Sequence, residues 1–248
     1  RVVPSDALQG QALSAVVQAD MPADGTVGLI HMTNDYGAGL ADSFTADFTA
    51  DGITTLCTTI GYEQTTTDFS AAVQAMTDSG CTSAVLVSYA ADGGMILDEM
   101  ATQGWNGQVY GGDGIAEEGL AADTSASVDG VIATKPSSGS MGTVGYVFQG
   151  LCAQSVECAG GIYTAEAFDG VVVMALAAFA QLASPGATLG QVIMATGQGL
   201  EGASGTISFL SNGDSPGAGY CVGDFTEDVD GNVAFTCNRS WDPVSGLA

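Results

Sequence analysis

The sequence contains very few basic residues. Its 248 residues include 3 Lys and Arg residues against 28 Asp and Glu residues, which gives a formal net charge of −25. A protein that binds nucleic acid needs a basic face to displace counterions from the phosphates, so this shortage excludes nucleic acid as a partner. It also disfavours binding to an anionic membrane surface. We attribute the acidity to solubility, including solubility in salty surroundings.

Signals for membrane insertion and for export are missing as well. The longest apolar candidate, Gly170–Leu182, is interrupted by small residues and is too short to span a bilayer, so we expect no direct membrane insertion. The first residues, RVVPSDALQG, contain no basic start that leads into an apolar core. We therefore expect a mature product or a fragment.

Motifs of common enzymes are absent too. The sequence contains no G-x-x-x-x-G-K, G-x-S-x-G or H-E-x-x-H. A Ser-His-Asp triad could use only His31, which lies in an apolar stretch and is more simply a core histidine. Gly197, Gly199 and Gly202 match G-x-G-x-x-G, but they follow a predicted helix and not a strand, so we interpret them as a helix exit. We predict no enzyme, no cofactor and no metal site.

Two pairs of neighbouring acids lie on predicted helices. They are Asp98-Glu99 and Glu117-Glu118. Adjacent side chains on a helix point apart, whereas general acid–base catalysis needs carboxylates that converge in a cleft. We therefore predict that both pairs are solvated surface.

The even number of cysteines indicates an oxidising compartment. Cys152 and Cys158 close a short loop. Cys221 and Cys237 flank a predicted hairpin with its turn in 227–231, so we expect them to lie opposite each other. A third bridge between Cys57 and Cys81 remains open beside the alternative of buried free thiols. A metal site is disfavoured because no C-x-x-C occurs.

Strand and helix patterns alternate regularly over residues 26–134, which predicts an α/β fold with a doubly wound parallel sheet and flanking helices. After Pro136 the pattern changes, and SSGSMGT has the composition of a linker. Two predicted helices then follow without a strand, and an antiparallel pattern begins at Gly205. The predicted strands are 26–32, 53–60, 84–87, a short run from Val109, and 130–134; the predicted helices are 8–17, 37–50, 68–77, 92–103, 116–122, 163–183 and 187–200.

Polar side chains follow three of the predicted strands. Tyr36 comes after the first strand, Tyr89 after the third and Asp113 after the fourth. Ligands of open parallel sheets lie just outside the carboxyl ends of the strands, so these side chains point to a ligand site at one edge. A carboxylate with two phenol rings can hold an ammonium group. None of the three is a nucleophile with an adjacent base, so we predict a site for binding.

Several segments resemble, in order and spacing, the branched-chain amino-acid-binding proteins of ABC importers, which are type I periplasmic binding proteins. The segments include HMTNDYGAGLADSF, TTTDFSAAVQAM, VSYAADGGMILDEMATQGW, GGDG, AEAFDGVVVMALAAF and FLSNGDSPGAGY. The resemblance extends through nearly the whole chain. It implies two doubly wound lobes that clamp an amino acid in the cleft between them.

The resemblance also implies roles for individual residues. Tyr36 and Tyr89 match ligand-contacting aromatic positions, Asp113 matches the acid that binds the ligand ammonium, and Tyr163 falls near a further hinge-side contact. Residues 1–136 and 208–248 would form the second lobe. Residues 137–207 would be a mainly helical remnant of a first lobe whose amino-terminal part is lacking.

The implied function is that of an extracytoplasmic or periplasmic solute-binding protein with an amino acid as ligand and an ABC permease as membrane partner. A ligand-sensing receptor domain of the same fold is the alternative. The helices of 163–200 would lack the layer that normally covers them. We therefore expect a homodimer or a partner that supplies the missing lobe.

Overall fold

A computed structural model describes residues 1–50, 52, 56–137, 142–155, 158, 161–227 and 233–248. The chain divides into two compact units. The sheet unit comprises Asp6–Lys135 and Tyr220–Ala248, and the helical unit comprises Arg1–Ser5 and Pro136–Gly219. The lobe boundaries expected from the sequence, at 136 and 208, differ from this division mainly in the placement of residues 208–219.

The sheet unit alternates strands with helices and ends in an antiparallel ribbon. Its strands are β1 (Val27–Met32), β2 (Leu56–Tyr62), β3 (Ser83–Val87), β4 (Gln108–Gly111), β5 (Ile132–Pro136), β8 (Tyr220–Glu227), β9 (Val233–Asp242) and β10 (Gly246–Leu247). Its helices are α1 (Asp6–Asp20), α2 (Asp35–Phe48), α3 (Ser70–Asp78), α4 (Ala90–Thr102) and α5 (Gly119–Asp123), with a 3₁₀ turn at Asp113–Ile115.

The strands form one sheet in the order β10-β9-β8-β5-β4-β3-β1-β2. Strands β1 to β5 pair in parallel, whereas β8, β9 and β10 pair antiparallel. The predicted doubly wound α/β fold is therefore confirmed. The chain leaves β1 toward β2 on one side and returns to β3 on the other side, so the winding direction reverses between β1 and β3.

Helices cover both faces of this sheet. One apolar cluster packs the residues of α1 and α2, such as Leu13 and Phe44, against Leu29 and Val85 of the sheet. A second cluster on the opposite face includes Met76 of α3 and Leu97 of α4. Alternate residues of a strand point to opposite faces. The apolar runs from which we predicted strands buried on both faces therefore contribute side chains to two cores.

Strand β2 differs from its predicted position. The expected strand 53–60 begins at residues outside the described part of the chain, and the observed strand continues to Tyr62. His31 of β1 is half buried and not a core residue, and its Nδ1 lies 2.8 Å from the carbonyl oxygen of Met32. The two added residues of β2 bring the Tyr62 side chain to the carboxyl edge of the sheet.

All six cysteines form disulfides: Cys57–Cys81, Cys152–Cys158 and Cys221–Cys237. In the ribbon, Cys221 lies opposite Ser240, and Cys237 lies opposite Gly223. The expectation that the two cysteines face each other directly is wrong, because the ladder next to the turn already pairs Gly223 with Cys237, and a register shift between Val222 and Gly223 moves Cys221 one residue further away. Their Cα atoms are nevertheless 5.6 Å apart. The predicted turn at 227–231 lies almost entirely outside the described residues.

The helical unit contains α6 (Thr143–Cys152), α7 (Thr164–Ala183), α8 (Leu189–Gly197) and the short antiparallel strands β6 (Leu200–Glu201) and β7 (Thr206–Ile207). The sequence did not predict α6, which follows the expected linker. The helix predicted over 187–200 ends at Gly197, because the backbone at Gly199 takes the left-handed conformation (φ +76°) and leads into β6. The G-x-G-x-x-G match therefore lies at a helix exit.

Helix α7 agrees with the helix predicted over 163–183. Its 20 residues are long enough and apolar enough to cross a membrane by length and composition, which corrects the expectation of a segment that is too short. A single helix of this kind is weak grounds for a membrane span. Asp169, which is 1% exposed, accepts hydrogen bonds from the backbone N–H groups of Ala203 and Ser204 and so ties α7 to the rest of the helical unit.

Candidate functional site: a tyrosine–carboxylate cluster at the carboxyl edge of the sheet

The three predicted strand-end residues lie at one edge of the sheet unit. Strands β4, β3 and β1 are neighbours in the sheet, and Asp113, Tyr89 and Tyr36 follow their carboxyl ends in that order. Tyr36 and Tyr89 thus flank the point between β1 and β3 where the winding direction reverses. Open α/β sheets bind ligands in the crevice at such a point.

The start of α2 places Tyr36. The side-chain oxygen of Asn34 accepts a hydrogen bond from the backbone N–H of Gly37 at 2.8 Å, which caps the helix and fixes its first turn. The Tyr36 hydroxyl then donates to Oδ1 of Asp113 at 3.0 Å and accepts from the backbone N–H of Gly114 at 3.2 Å. Tyr36 therefore links the β1 and β4 ends directly.

Tyr89 completes the cluster through its ring. Its ring lies 5.3 Å from the ring of Tyr36, centroid to centroid, with an angle of 15° between the planes. Tyr89 is 42% exposed, whereas Asp113 is 6% exposed. The stacked rings thus present an aromatic wall beside a largely buried carboxylate.

Two glycines allow the Tyr36 hydroxyl to approach the loop that carries Asp113. A Cβ atom added at Gly112 or at Gly114 would lie 3.0 Å from the Tyr36 hydroxyl, and at Gly112 it would also lie 2.7 Å from Cδ2 of Leu40. A side chain at either position would push these neighbours away. The glycines of the GGDG segment are therefore a steric requirement of the site.

The hydroxyl of Tyr36 remains protonated at physiological pH. Burial raises its pKa far above the usual value, and the negative charge of Asp113 raises it further. Tyr36 therefore remains a hydrogen-bond donor to Asp113. A carboxylate has about four lone-pair sites, so donation by Tyr36 is compatible with further donors such as an ammonium group.

A second acid lies close to this carboxylate. Glu117 is half buried and not the solvated surface residue expected from the sequence. Burial raises the pKa of its carboxyl group, and the charges of Asp123 and Asp113 raise it as well, whereas Lys135 opposes them. The charges of Asp113 and Asp123 thus disfavour a further negative charge at Glu117.

Asp98 also departs from its predicted role. It accepts hydrogen bonds from the hydroxyls of Thr124 and Ser125 and from the backbone N–H groups of Ser125 and Ala126, at 2.8 to 2.9 Å. This acid therefore organises the loop after α5. It takes no part in the strand-end cluster.

Further residues at the carboxyl edge escaped the sequence interpretation. Tyr62 at the end of β2 lies close to Ser88 and Asp92, at the junction of β3 and α4. The rule that identified Tyr36, Tyr89 and Asp113 would also have identified Tyr62. The predicted strand ended two residues too early for the rule to apply.

Tyr163, the fourth predicted ligand contact, belongs to the helical unit. It lies directly before α7 and adopts a left-handed backbone conformation with φ 61°. Residues other than glycine seldom adopt this conformation, so the local structure holds Tyr163 in a conformation that costs about 1 kcal/mol or more.

A cavity of about 410 Å³ lies at the opposite, amino-terminal edge of β4, with Leu97, Met100 and Val109 among its lining residues. Two of its lining side chains already use their N–H groups. Nε2 of Gln108 donates to the carbonyl oxygen of Gly130 at 2.7 Å. The indole N–H of Trp105 donates to the carbonyl of Cys81. We assign no ligand to this cavity.

Comparison with known proteins identifies similar sequences. A family model described as "periplasmic binding protein" matches residues 1–145. Leu/Ile/Val-binding protein homolog 3 from Brucella melitensis biotype 1 is 31% identical over 119 residues. The aligned stretch covers 47% of this chain and 31% of the Brucella protein, so the chain spans less than a third of that curated relative.

Solved structures share the fold over almost the whole chain. The leucine binding protein LivK of Thermotoga maritima superposes with a TM-score of 0.78 at 20% identity, over 98% of this chain and 67% of that protein. A solute binding protein of an ABC transporter from R. palustris, in complex with benzoate, superposes with a TM-score of 0.75 at 12% identity, over 100% of this chain and 64% of that protein. Likenesses at these identities establish the fold.

Proposed function

The chain belongs to the periplasmic binding protein family, and we propose that it binds an amino acid, branched-chain or similar, as part of an extracytoplasmic solute-binding protein of an ABC importer. The buried carboxylate of Asp113 beside the stacked rings of Tyr36 and Tyr89 supports this proposal most directly. The ligand ammonium would bind Asp113, and the half-exposed ring of Tyr89 would contact the ligand.

The expected role of a binding protein agrees with the family, which is one of binding proteins and not of enzymes. The family description and the three disulfides both support an extracytoplasmic location, since disulfides persist in oxidising compartments. An ABC permease would be the membrane partner. The names of the similar proteins support these assignments, which remain proposals for this chain.

We assign the sheet unit to the second lobe and the helical unit to a remnant of the first lobe. The chain covers 67% of the length of the LivK structure and 64% of the length of the R. palustris structure, which supports the assignment. Tyr163 would contribute a further ligand contact from the helical unit. A layer supplied by the rest of the first lobe, or by a second copy of the chain, would cover the exposed apolar side chains of α7.

Calorimetric titration tests the amino-acid ligand. L-Leucine, L-isoleucine and L-valine should bind, and Asp113→Asn should weaken binding by at least about tenfold, because a charge-assisted hydrogen bond to an ammonium contributes roughly 1.5–3 kcal/mol. Asp129→Asn removes an exposed carboxylate at the opposite edge of the sheet and should leave the affinity unchanged. Only weak binding is expected where part of the clamp is lacking, so the titration should extend to millimolar ligand.

Benzoate provides the discriminating ligand, because it carries a carboxylate and a ring but no ammonium. Binding of benzoate without binding of any amino acid would refute the role of Asp113 as an ammonium ligand. Equal affinity of Asp113→Asn and wild type for L-leucine would refute it as well.

A further inference from the structure

Polar groups at the junction of β3 and α4 hold the backbone of Tyr89 although its side chain is half exposed. The backbone N–H of Tyr89 donates to Oδ1 of Asp92 at 3.1 Å, which fixes the entry into α4. Ser88, the preceding residue, is fully buried. The position of the Tyr89 ring therefore depends on where Asp92 and Ser88 are held.

Tyr62 at the end of β2 contacts both of these residues, although β1 lies between β2 and β3 in the sheet. Its hydroxyl is hydrogen-bonded to the carboxylate of Asp92 and lies 2.9 Å from Oγ of Ser88. Tyr62 is 6% exposed, so its contact with Ser88 is shielded from water and its contact with Asp92 is partly shielded. Burial raises the pKa of the Tyr62 hydroxyl above its usual value, and Asp92 raises it further, so the hydroxyl remains a donor.

The ring of Tyr62 has its own packing partner. It meets the ring of Phe69 edge to face, with centroids 5.0 Å apart and an angle of 87° between the planes. A phenylalanine at position 62 would keep this contact and lose only the hydroxyl. The hydroxyl can therefore be tested separately from the packing of the core.

We propose that Tyr62 and Asp92 are positioning residues, which hold the Tyr89 ring against the Tyr36 ring at the ligand site. The Tyr62 hydroxyl at the end of β2 is hydrogen-bonded to the Asp92 carboxylate, and this carboxylate accepts a hydrogen bond from the backbone N–H of Tyr89. Tyr62 lies at the end of β2, for which no ligand contact was predicted. It thus orients Tyr89, a predicted ligand contact on the loop after β3. This inference rests on the proposed function for the identity of the site, whereas the contacts themselves need no ligand.

The first test requires no ligand. The chain contains seven tyrosines, and 3-fluorotyrosine labelling gives each a ¹⁹F NMR signal, with that of Tyr89 assigned from its loss in Tyr89→Phe. Tyr62→Phe should shift or broaden the Tyr89 signal in the free protein, because the ring loses its fixed position over Tyr36. Asp92→Asn, which preserves the side-chain shape and removes the charge, should do the same and serves as the second variant.

Tyr110→Phe is the matched control. Tyr110 is also a buried tyrosine of the sheet unit, 1% exposed, and it packs in the cluster of α1 and α2. Its substitution should leave the Tyr89 signal unchanged. A Tyr89 signal that is unchanged in both Tyr62→Phe and Asp92→Asn would overturn the proposal, whatever the protein binds.

The second test measures coupling in the affinity for L-leucine. Tyr62→Phe should weaken binding by about fivefold, the effect of one net hydrogen bond, and should have no effect in a Tyr89→Ala background. An equal loss in both backgrounds would show that Tyr62 does not act through Tyr89 and would overturn the proposal. Absence of leucine binding by the wild type, with the NMR shifts present, would refute the proposed ligand and leave the positioning role standing.

Discussion

The sheet unit and the helical unit cover their apolar side chains to different degrees. In the sheet unit, helices lie on both faces of the sheet, and Phe44 and Leu86 are fully buried. In the helical unit, α7 buries Asp169, Val173 and Ala177, whereas Phe179 is 75% exposed. A sheet with helices on both faces supplies its own core, but a helix with an apolar surface needs a further layer.

Replacement of a large apolar side chain by alanine should give the largest difference in stability loss between the two units. Phe44→Ala should lower the free energy of unfolding by about 3–5 kcal/mol, because it leaves a cavity in a fully packed core. Phe179→Ala should change the free energy by less than about 0.5 kcal/mol, because most of its ring already faces water. Urea unfolding followed by circular dichroism measures both.

A loss at Phe179 comparable to that at Phe44 would contradict the observed exposure of the ring. It would mean that another layer covers α7 in solution. Sedimentation at several protein concentrations would then distinguish a second copy of the chain from a segment of the same chain. A contiguous apolar surface of this kind commonly marks an association site.

The sequence predicted the sheet unit well because its signals are local. The parallel strands β1 to β5, of four to seven residues, alternate with helices of regular apolar spacing, and both patterns can be read within short windows. The helical unit was predicted less well. Helix α6 escaped because the linker composition before it outweighed its own apolar residues, and most of its large apolar side chains, including Tyr146 and Leu151, are exposed.

The candidate site was predicted in part for the same reason. The strand-end rule identified Tyr36, Tyr89 and Asp113 without knowledge of their contacts. The hydrogen bond from Tyr36 to Asp113 joins residues separated by 77 positions, and no local pattern reports such a contact. Tyr62 was missed because its role depends on the register of β2, which sequence patterns locate only to within a few residues.

Removal of a disulfide should give the next largest difference in stability loss between the two units. The Cys57–Cys81 bridge of the sheet unit spans 24 residues, and the Cys152–Cys158 bridge of the helical unit spans 6. Loop-closure entropy then predicts losses of about 3.5 and about 2 kcal/mol respectively for the paired Cys→Ala variants. Thermal unfolding under oxidising conditions measures the two losses, and a larger loss for the short loop would contradict the entropic account.

Substitution of a helix aspartate that accepts hydrogen bonds from a loop should give the smallest difference in stability loss between the two units. Here the loss should be larger in the helical unit. Asp169 is 1% exposed and accepts bonds from two backbone N–H groups and the Ser204 hydroxyl, at 2.6 to 2.8 Å. Asp169→Asn should lower the free energy of unfolding by about 2 kcal/mol, because it leaves buried donors without a charged acceptor. Asp98→Asn should cause a smaller loss, because Asp98 is partly exposed.

The effect of Asp98→Asn should also depend on pH. Burial raises the pKa of Asp98, but the hydrogen bonds from Ser125, Thr124 and the backbone outweigh burial and hold it below its usual range. A depressed pKa contributes stability above the unfolded value of about 3.9, and this contribution is lost as the pH falls through the lower folded value. The difference between wild type and Asp98→Asn should therefore be full at pH 7 and vanish in strong acid. A difference of the same size at pH 7 and below the folded pKa would show that the amide side chain of Asp98→Asn destabilises the protein for steric reasons and not because it lacks a charge.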